Sequence, residues 1–170
     1  MTNQSVAAIR TTLDGLSGLS GVALGRSPAI RVEQTEIDAF ATATGDRQWI
    51  HVDPERAKHA GRATTVAHGY LCLSLIGGLW AHLLDVVDCD EALNYGLDRV
   101  RFLRPVPAGS ELEMTGSITR VDEVRAPFPG MRVYADVQLV FAGTSVPVVV
   151  AATILQFMSH AAATTAGEER

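Results

Sequence analysis

Asp46 and His51 stand five residues apart in the stretch ATATGDRQWIHVDPERA, residues 41–57. A carboxylate and an imidazole that share one water can take its proton and return it to a substrate carbon. Imidazole changes charge near neutral pH, so it can act as base and then as acid. Positions five apart on a helix lie about 140° apart around the axis and share no face. The two side chains therefore meet only where the chain turns between them. A plainer role suits the same residues: Asp46 closes a local turn and His51 packs against Trp49. Spacing alone leaves both readings open.

Two further stretches carry polar groups suited to a ligand. In AHGYL, Gly69 precedes the first turn of a long apolar segment. Backbone amides at a helix start lack intrahelical partners and carry partial positive charge, so they can hold an oxygen as it gains negative charge. Glycine there would let a ligand approach the backbone closely. In NYGLDRVRFLRPV, Asn94 can hydrogen-bond near a site, and Arg99, Arg101 and Arg104 can meet phosphates. Solvated arginines on a strand face explain the same pattern. His82, inside the apolar segment, reads as a hydrogen-bonded core histidine. His51 and Asp53 could touch a metal, but no HExxH or similar set completes a shell, and GxSxG, GxGxxG and Walker A patterns are absent.

The elements that must position these residues follow from pattern. The 170 residues carry a net charge of -5 without a block of like charge, which argues against nucleic acid as a partner. Cys72 and Cys89 have no CxxC spacing, and the N-terminus lacks a signal-like apolar stretch, so a reducing cytoplasm is expected. Residues 1–24 read as an extension made of a short helix and a flexible GLSGLSG segment. Ser27 to Val32 read as a first strand, and Thr35 as the cap of a short helix over 36–43. Gly45 ends that helix, and Asp53-Pro54 starts another. The apolar run Tyr70 to Leu84 is too short to span a membrane and is expected as one buried helix. Beyond it the period changes to two, in SELEMTGSITRV and MRVYADVQLVF, and SVPVVVAATILQF is apolar on both faces. One α+β domain over 25–158 is expected, an antiparallel sheet around a central helix, followed by a disordered tail at 159–170.

With these elements in place, the sequence resembles the MaoC-like dehydratases, the (R)-specific enoyl-CoA hydratases. Their Gly-Asp-x-Asn-Pro-x-His pattern, followed by an Asp-Pro helix start, is matched by Gly45, Asp46, His51, Asp53 and Pro54. VAHGYLCLSLI resembles the start of that family's central helix, and NYGLDRVRFLRPVPAGSEL its following strand; the likeness covers roughly residues 20–158. The resemblance implies a hot-dog fold, a long helix wrapped by an antiparallel sheet, paired as a homodimer with continuous sheets. It implies that Asp46 and His51 activate a water that adds to C3 of a trans-2-enoyl thioester, with the thioester oxygen held by the Gly69 N–H. The substrate would be an acyl-CoA or acyl-carrier thioester, with no cofactor beyond CoA itself and no metal. Asn94, Arg99, Arg101, Trp49 and Ser74 are the candidate substrate-binding residues. The family's Asn-Pro is replaced here by Gln48-Trp49, which either restores rigidity by packing or narrows an acyl tunnel. The serine that some members carry on the central helix aligns with Gly77, leaving Ser74 as a weaker substitute. A hot-dog thioesterase and a non-catalytic acyl-thioester binding subunit are the alternatives.

Overall fold

A computed structural model describes residues 8–126 and 128–159. Their centre is α4, Gly69–Trp80, whose inner side (Leu71, Cys72, Ile76, Leu79 and Trp80) is buried. Against it lies a six-stranded antiparallel sheet built from β2 (Ala23–Arg26), β3 (Ile30–Val32), β5 (Glu91–Phe102), β6 (Ser110–Val124), β7 (Gly130–Phe141) and β8 (Pro147–Met158). The order is β2-β6-β7-β8-β5, with β3 also pairing β6. Period-two alternation puts Val133, Ala135, Val137 and Leu139 of β7 into one core with Met114 and Ile118 of β6 and with Leu71, Ile76 and Leu79 of α4. This is the hot-dog arrangement that the resemblance implies.

The first strand differs from the expected Ser27 to Val32. It is split into β2 and β3 around Ser27-Pro28. The Ser27 N–H donates to the Met114 carbonyl at 2.9 Å, and the Met114 N–H donates to Ser27 Oγ at 2.8 Å. Pro28 has no N–H to continue the ladder. The N-terminal reading also changes. Ile9–Thr11 form β1, parallel to β4 (Leu84–Val86), and a 3-10 turn over Asp14–Leu19 buries Leu16 completely. The partner of β1 lies some 75 positions along the chain, so local composition could not reveal it; the Leu13 N–H likewise donates to Asp88 Oδ1 at 2.7 Å. Within the expected 1–24 extension, residues 9–11 are thus strand where a short helix was expected, and GLSGLSG is mostly a 3-10 turn; residues 1–7 and the tail at 160–170 lie outside the described residues.

The apolar run is not one helix. α4 stops at Trp80, while Leu83 and Leu84 stay buried in a turn and in β4, because pairing with β1 requires extended backbone there. His82 lies in that turn and is exposed, not in the core. Among the described residues no helix is long and apolar enough to cross a membrane.

A buried ion pair ties the sheet's far corner. Glu113 of β6 is fully buried; its Oε2 accepts from Arg26 Nη1 at 2.8 Å and from the Gly143 N–H at 3.1 Å. Arg26 Nη1 also donates to the Thr144 carbonyl at 2.9 Å. Removing one partner of such a pair strands a charge in a low-dielectric setting. Arg26→Ala is therefore expected to cost about 2–4 kcal/mol in urea unfolding. Arg10→Ala, which breaks an exposed pair with Asp85, should stay within about 0.5 kcal/mol.

Candidate active site

The site is assembled where α1 (Gln34–Thr44) hands over to α4. Helix α1 begins with a reciprocal cap between Glu33 and Glu36 rather than at Thr35, and buries Ile37 and Ala41 four residues apart. It ends at Gly45, whose φ of 80° is the left-handed conformation that glycine adopts without strain. That reversal delivers Asp46 to the surface. The chain then makes one helical turn, α2 (Trp49–Val52), and Asp53 caps α3 (Pro54–His59) by accepting the Arg56 N–H at 2.9 Å.

The segment 65–68 runs alongside this loop and stitches it in place. The Val66 N–H donates to the Ile50 carbonyl at 2.9 Å. The Val66 carbonyl accepts from His51 Nδ1 at 2.6 Å. Since a carbonyl can only accept, His51 carries a proton on Nδ1, and in the neutral ring Nε2 keeps the lone pair. From α1, the Gln34 amide donates to the His51 carbonyl at 2.7 Å and accepts the hydroxyl of the buried Thr65. His51 is 7% exposed, with its ring bonded to the Val66 carbonyl and its backbone to Gln34.

A second histidine completes the arrangement. His68, the N-cap of α4, is 2% exposed and donates from Nε2 to the Asp46 carbonyl at 2.9 Å. Its ring stacks on His51 with centroids 3.7 Å apart and an interplanar angle of 24°, and Phe40 lies 5.1 Å from it. With Nε2 donating, neutral His68 has a bare Nδ1, and that buried atom has no hydrogen-bond partner among the described residues. An unpaired buried polar atom costs about 1–3 kcal/mol.

Asp46, His51 and His68 each offer one ligand-capable atom, and the three lie within 4.8 Å of one another. The carboxylate and the two rings thus converge on one small region. A zinc ion needs its nitrogens converging at about 2.0–2.1 Å. The rings stack with centroids 3.7 Å apart, and one carboxylate with two imidazoles is a donor set of the kind that zinc also takes. His51 does not pack on Trp49 as the plainer reading would have it. Trp49 instead lies under the Arg56 guanidinium, 4.8 Å from its ring centre. The turn-closing bond from the Gln48 N–H to Asp46 Oδ1 is long, at 3.5 Å.

Gly69 starts α4 next to this cluster and lines a cavity of about 210 Å³ with Cys72, Phe102, Arg104 and Val149. A Cβ at position 69 would meet the Phe102 ring at 3.0 Å, so a side chain at the helix start would require that ring to give way. Two more cavities, about 230 and 270 Å³, lie between α4 and β5. Asn94 and Gly77 line both; Ser74 lines the smaller and donates its hydroxyl to the Tyr70 carbonyl at 2.8 Å.

Arg99 and Arg101 are not brought to this cluster within the chain. Arg101 pairs in register with Val150, and Arg99 binds Asp136 at 2.9 Å, both on the sheet face turned away from α4. A bulge after Asp98, with Arg99 at φ 51°, reorients this stretch of β5. Arg104 does reach the cavity at Gly69, with Nη1 donating to the Pro147 carbonyl at 2.7 Å. Sequence reasoning missed Gln34, Thr65, His68 and Phe102. The adjacency of His68 to Gly69 was the one available signal.

Burial pushes the Cys72 thiol up to about 11. Burial, then the neighbouring Asp88, Asp90 and Asp85 carboxylates, raises Cys89 as well. The thiolate is the reactive form. At pH 8, iodoacetamide is therefore expected to leave Cys72 unmodified in the folded protein and to label it in urea, read by peptide mass spectrometry.

The MaoC-like domain model matches residues 19–138. A protein of Mycobacterium tuberculosis named 3-hydroxyacyl-thioester dehydratase Z is 38% identical over 144 residues, 85% of this chain and 94% of that one. Nodulation protein N of Rhizobium leguminosarum bv. viciae is 48% identical over 94 residues, 54% of this chain and 58% of that one. Among solved structures, the unliganded R-hydratase PhaJ1 from Pseudomonas aeruginosa superposes with a TM-score of 0.67 at 20% identity, over 87% of this chain and 86% of that one. The (R)-hydratase from A. caviae involved in PHA biosynthesis gives 0.62 at 23% identity, over 81% and 95%. At these identities the two structures speak for the fold.

Proposed function

Because the chain belongs to the MaoC-like dehydratase family, we propose that it is a lyase interconverting trans-2-enoyl and (3R)-3-hydroxyacyl thioesters. The observation that carries this is the 2.6 Å bond between His51 Nδ1 and the Val66 carbonyl. The Nδ1–H is committed to that carbonyl, so Nε2 of the neutral ring can take a proton, and an Asp46 carboxylate oxygen lies within 4.8 Å of a His51 ring nitrogen. In the hydration direction Asp46 and His51 hold one water. His51 Nε2 removes a proton, the oxygen adds to C3, and a proton is returned to C2 on the same face. The charge that develops on the thioester oxygen is met by the Gly69 N–H at the start of α4, a kind of donor typically worth about 3–4 kcal/mol. The cavity at Gly69 admits the thioester, and Arg104 at its wall is the cation placed to meet a phosphate of the thiol carrier. The space between α4 and β5, past Ser74, Gly77 and Asn94, would take the acyl chain. Two free cysteines suit a cytoplasmic setting for such chemistry.

We also infer a homodimer through β5. Strand β5 has twelve residues and, among the described residues, pairs only with β8, so its other edge is open there. Leu93, Tyr95, Leu97 and Phe102 on it, and Tyr70 on α4, are exposed. A long apolar edge of this kind calls for a partner. Sedimentation is expected to give twice the chain mass of 18.1 kDa, and Tyr70→Asp to weaken the association about tenfold or more by placing an unpaired charge in the contact.

The test of the activity is a chain-length series of trans-2-enoyl-CoAs, followed by loss of the conjugated absorbance, with chiral analysis of the product. Asp46→Asn and His51→Ala are each expected to lower turnover by about 10²-fold or more. Wild-type rates in either variant would remove that residue from the mechanism. Release of free thiol without loss of conjugation would mark a thioesterase instead.

A further inference from the structure

We propose that His68 is a positioning residue for this reaction, fixing Asp46 against His51 through its Nε2–H, while its ring only packs on His51. The inference rests on the reading of the site given above. Residues 42–48 are exposed, and Asp46 has few bonds of its own: its N–H reaches Thr44 Oγ1 only at 3.4 Å, and its Oδ1 meets the Gln48 N–H at 3.5 Å. The short bond on this residue is the one from His68 Nε2 to its carbonyl, 2.9 Å, crossing 22 positions of sequence. The same ring lies flat on His51 at 3.7 Å. His68 therefore touches both members of the pair, one through its edge and the other through its face.

The choice of histidine is informative. Packing between His51 and Phe40 needs only an aromatic ring, and a phenylalanine would supply one without burying a bare nitrogen. What histidine adds is the Nε2–H that reaches the Asp46 backbone. Because His68 is the N-cap of α4, that bond ties the exposed turn to the helix that begins at Gly69. The base, the carboxylate and the Gly69 N–H are thus referenced to one rigid element. Misplacing a catalytic group by about 1 Å can cost about 10²-fold in rate, and a loop released at Asp46 would be misplaced on that scale.

The bond and the stack can be separated. His68→Phe keeps a ring against His51 and loses the donor; His68→Gln keeps an N–H at the same reach and loses the ring. Rates on trans-2-butenoyl-CoA, referred to protein shown folded by thermal melting, are to be measured for both, alone and combined with Asp46→Asn. His68→Phe is expected to lower kcat about tenfold or more with KM within about threefold, and His68→Gln to recover kcat to within about threefold of wild type. In the Asp46→Asn background, His68→Phe should change the residual rate less than about twofold, since a residue acting through Asp46 has nothing left to position. The inference is overturned if His68→Phe keeps wild-type kcat, if His68→Gln falls as far as His68→Phe, or if the same factor is lost in the Asp46→Asn background. Full activity of Asp46→Asn would instead bring down the reading of the site itself. Inactive Asp46→Asn beside fully active His68→Phe would bring down this inference alone.

Discussion

The structure around the site depends on one short antiparallel contact, between the loop that follows α1 and the segment that leads into α4. The Ile50 carbonyl, the His51 ring and the Asp46 carbonyl all bond to residues 66 and 68. Neither strip has a structure of its own that would fix side chains. A single helical turn is marginal in isolation, and residues 65–68 belong to no helix and no named strand. Their mutual bonds supply what local propensity does not. The strip is in turn fastened to the body of the protein, since the Ala67 N–H donates to the Val106 carbonyl at 2.8 Å and the Ala108 N–H to the Thr65 carbonyl at 3.0 Å.

This contact also explains why the central helix must be so apolar. An amide at a helix start is useful as a donor only if the helix does not move relative to the groups that share its substrate. Leu71, Ile76 and Leu79 lock α4 into the sheet by burial, at roughly 25 cal/mol per Å² of apolar area removed from water. The polar work is confined to its first residues. His68 caps it with a backbone carbonyl, accepting the Cys72 N–H at 3.1 Å, and spends its side chain on the loop instead. The helix is thus a fixed post, and the catalytic candidates are hung from its end.

Much of the fold was legible because it follows from periodicity. β6, β7 and β8 appear as period-two patterns, and α4 as an apolar run with glycine before it. Gly45 and Asp53-Pro54 were readable for the same reason, each being the residue that its backbone conformation or missing N–H demands. What failed was non-local. The β1–β4 pairing joins residues 9–11 to 84–86, and no pattern within either strip announces the other. Similarly, Arg99 and Arg101 look like a basic stripe, yet the bulge in β5 and the register with β8 decide which face they take. In the site, Asp46 and His51 were visible as chemistry, while His68 and Gln34 were not. Their roles consist of hydrogen bonds across 22 and 17 positions, and a histidine or glutamine in sequence does not say whom it will reach.

The departure from the family motif shows how one restraint can replace another. Where relatives are read as having Asn-Pro, this chain has Gln48-Trp49, so no proline ring fixes φ in the turn. The backbone instead closes a helical turn, with the His51 N–H donating to the Gln48 carbonyl at 2.9 Å and the Asp53 N–H to the Trp49 carbonyl at 3.0 Å. Trp49 then lies under Arg56 of the next helix, a contact worth about 0.5–1 kcal/mol at an exposed position. Arg56 is also the residue whose N–H is capped by Asp53. The two bonds and the stack bind α2 to α3, so the turn carrying His51 inherits the stiffness of a longer helical unit. A proline fixes one torsion from within, whereas this chain fixes the same turn from outside, and the Trp49 ring is accordingly engaged with Arg56 and is absent from the walls of the three cavities around α4.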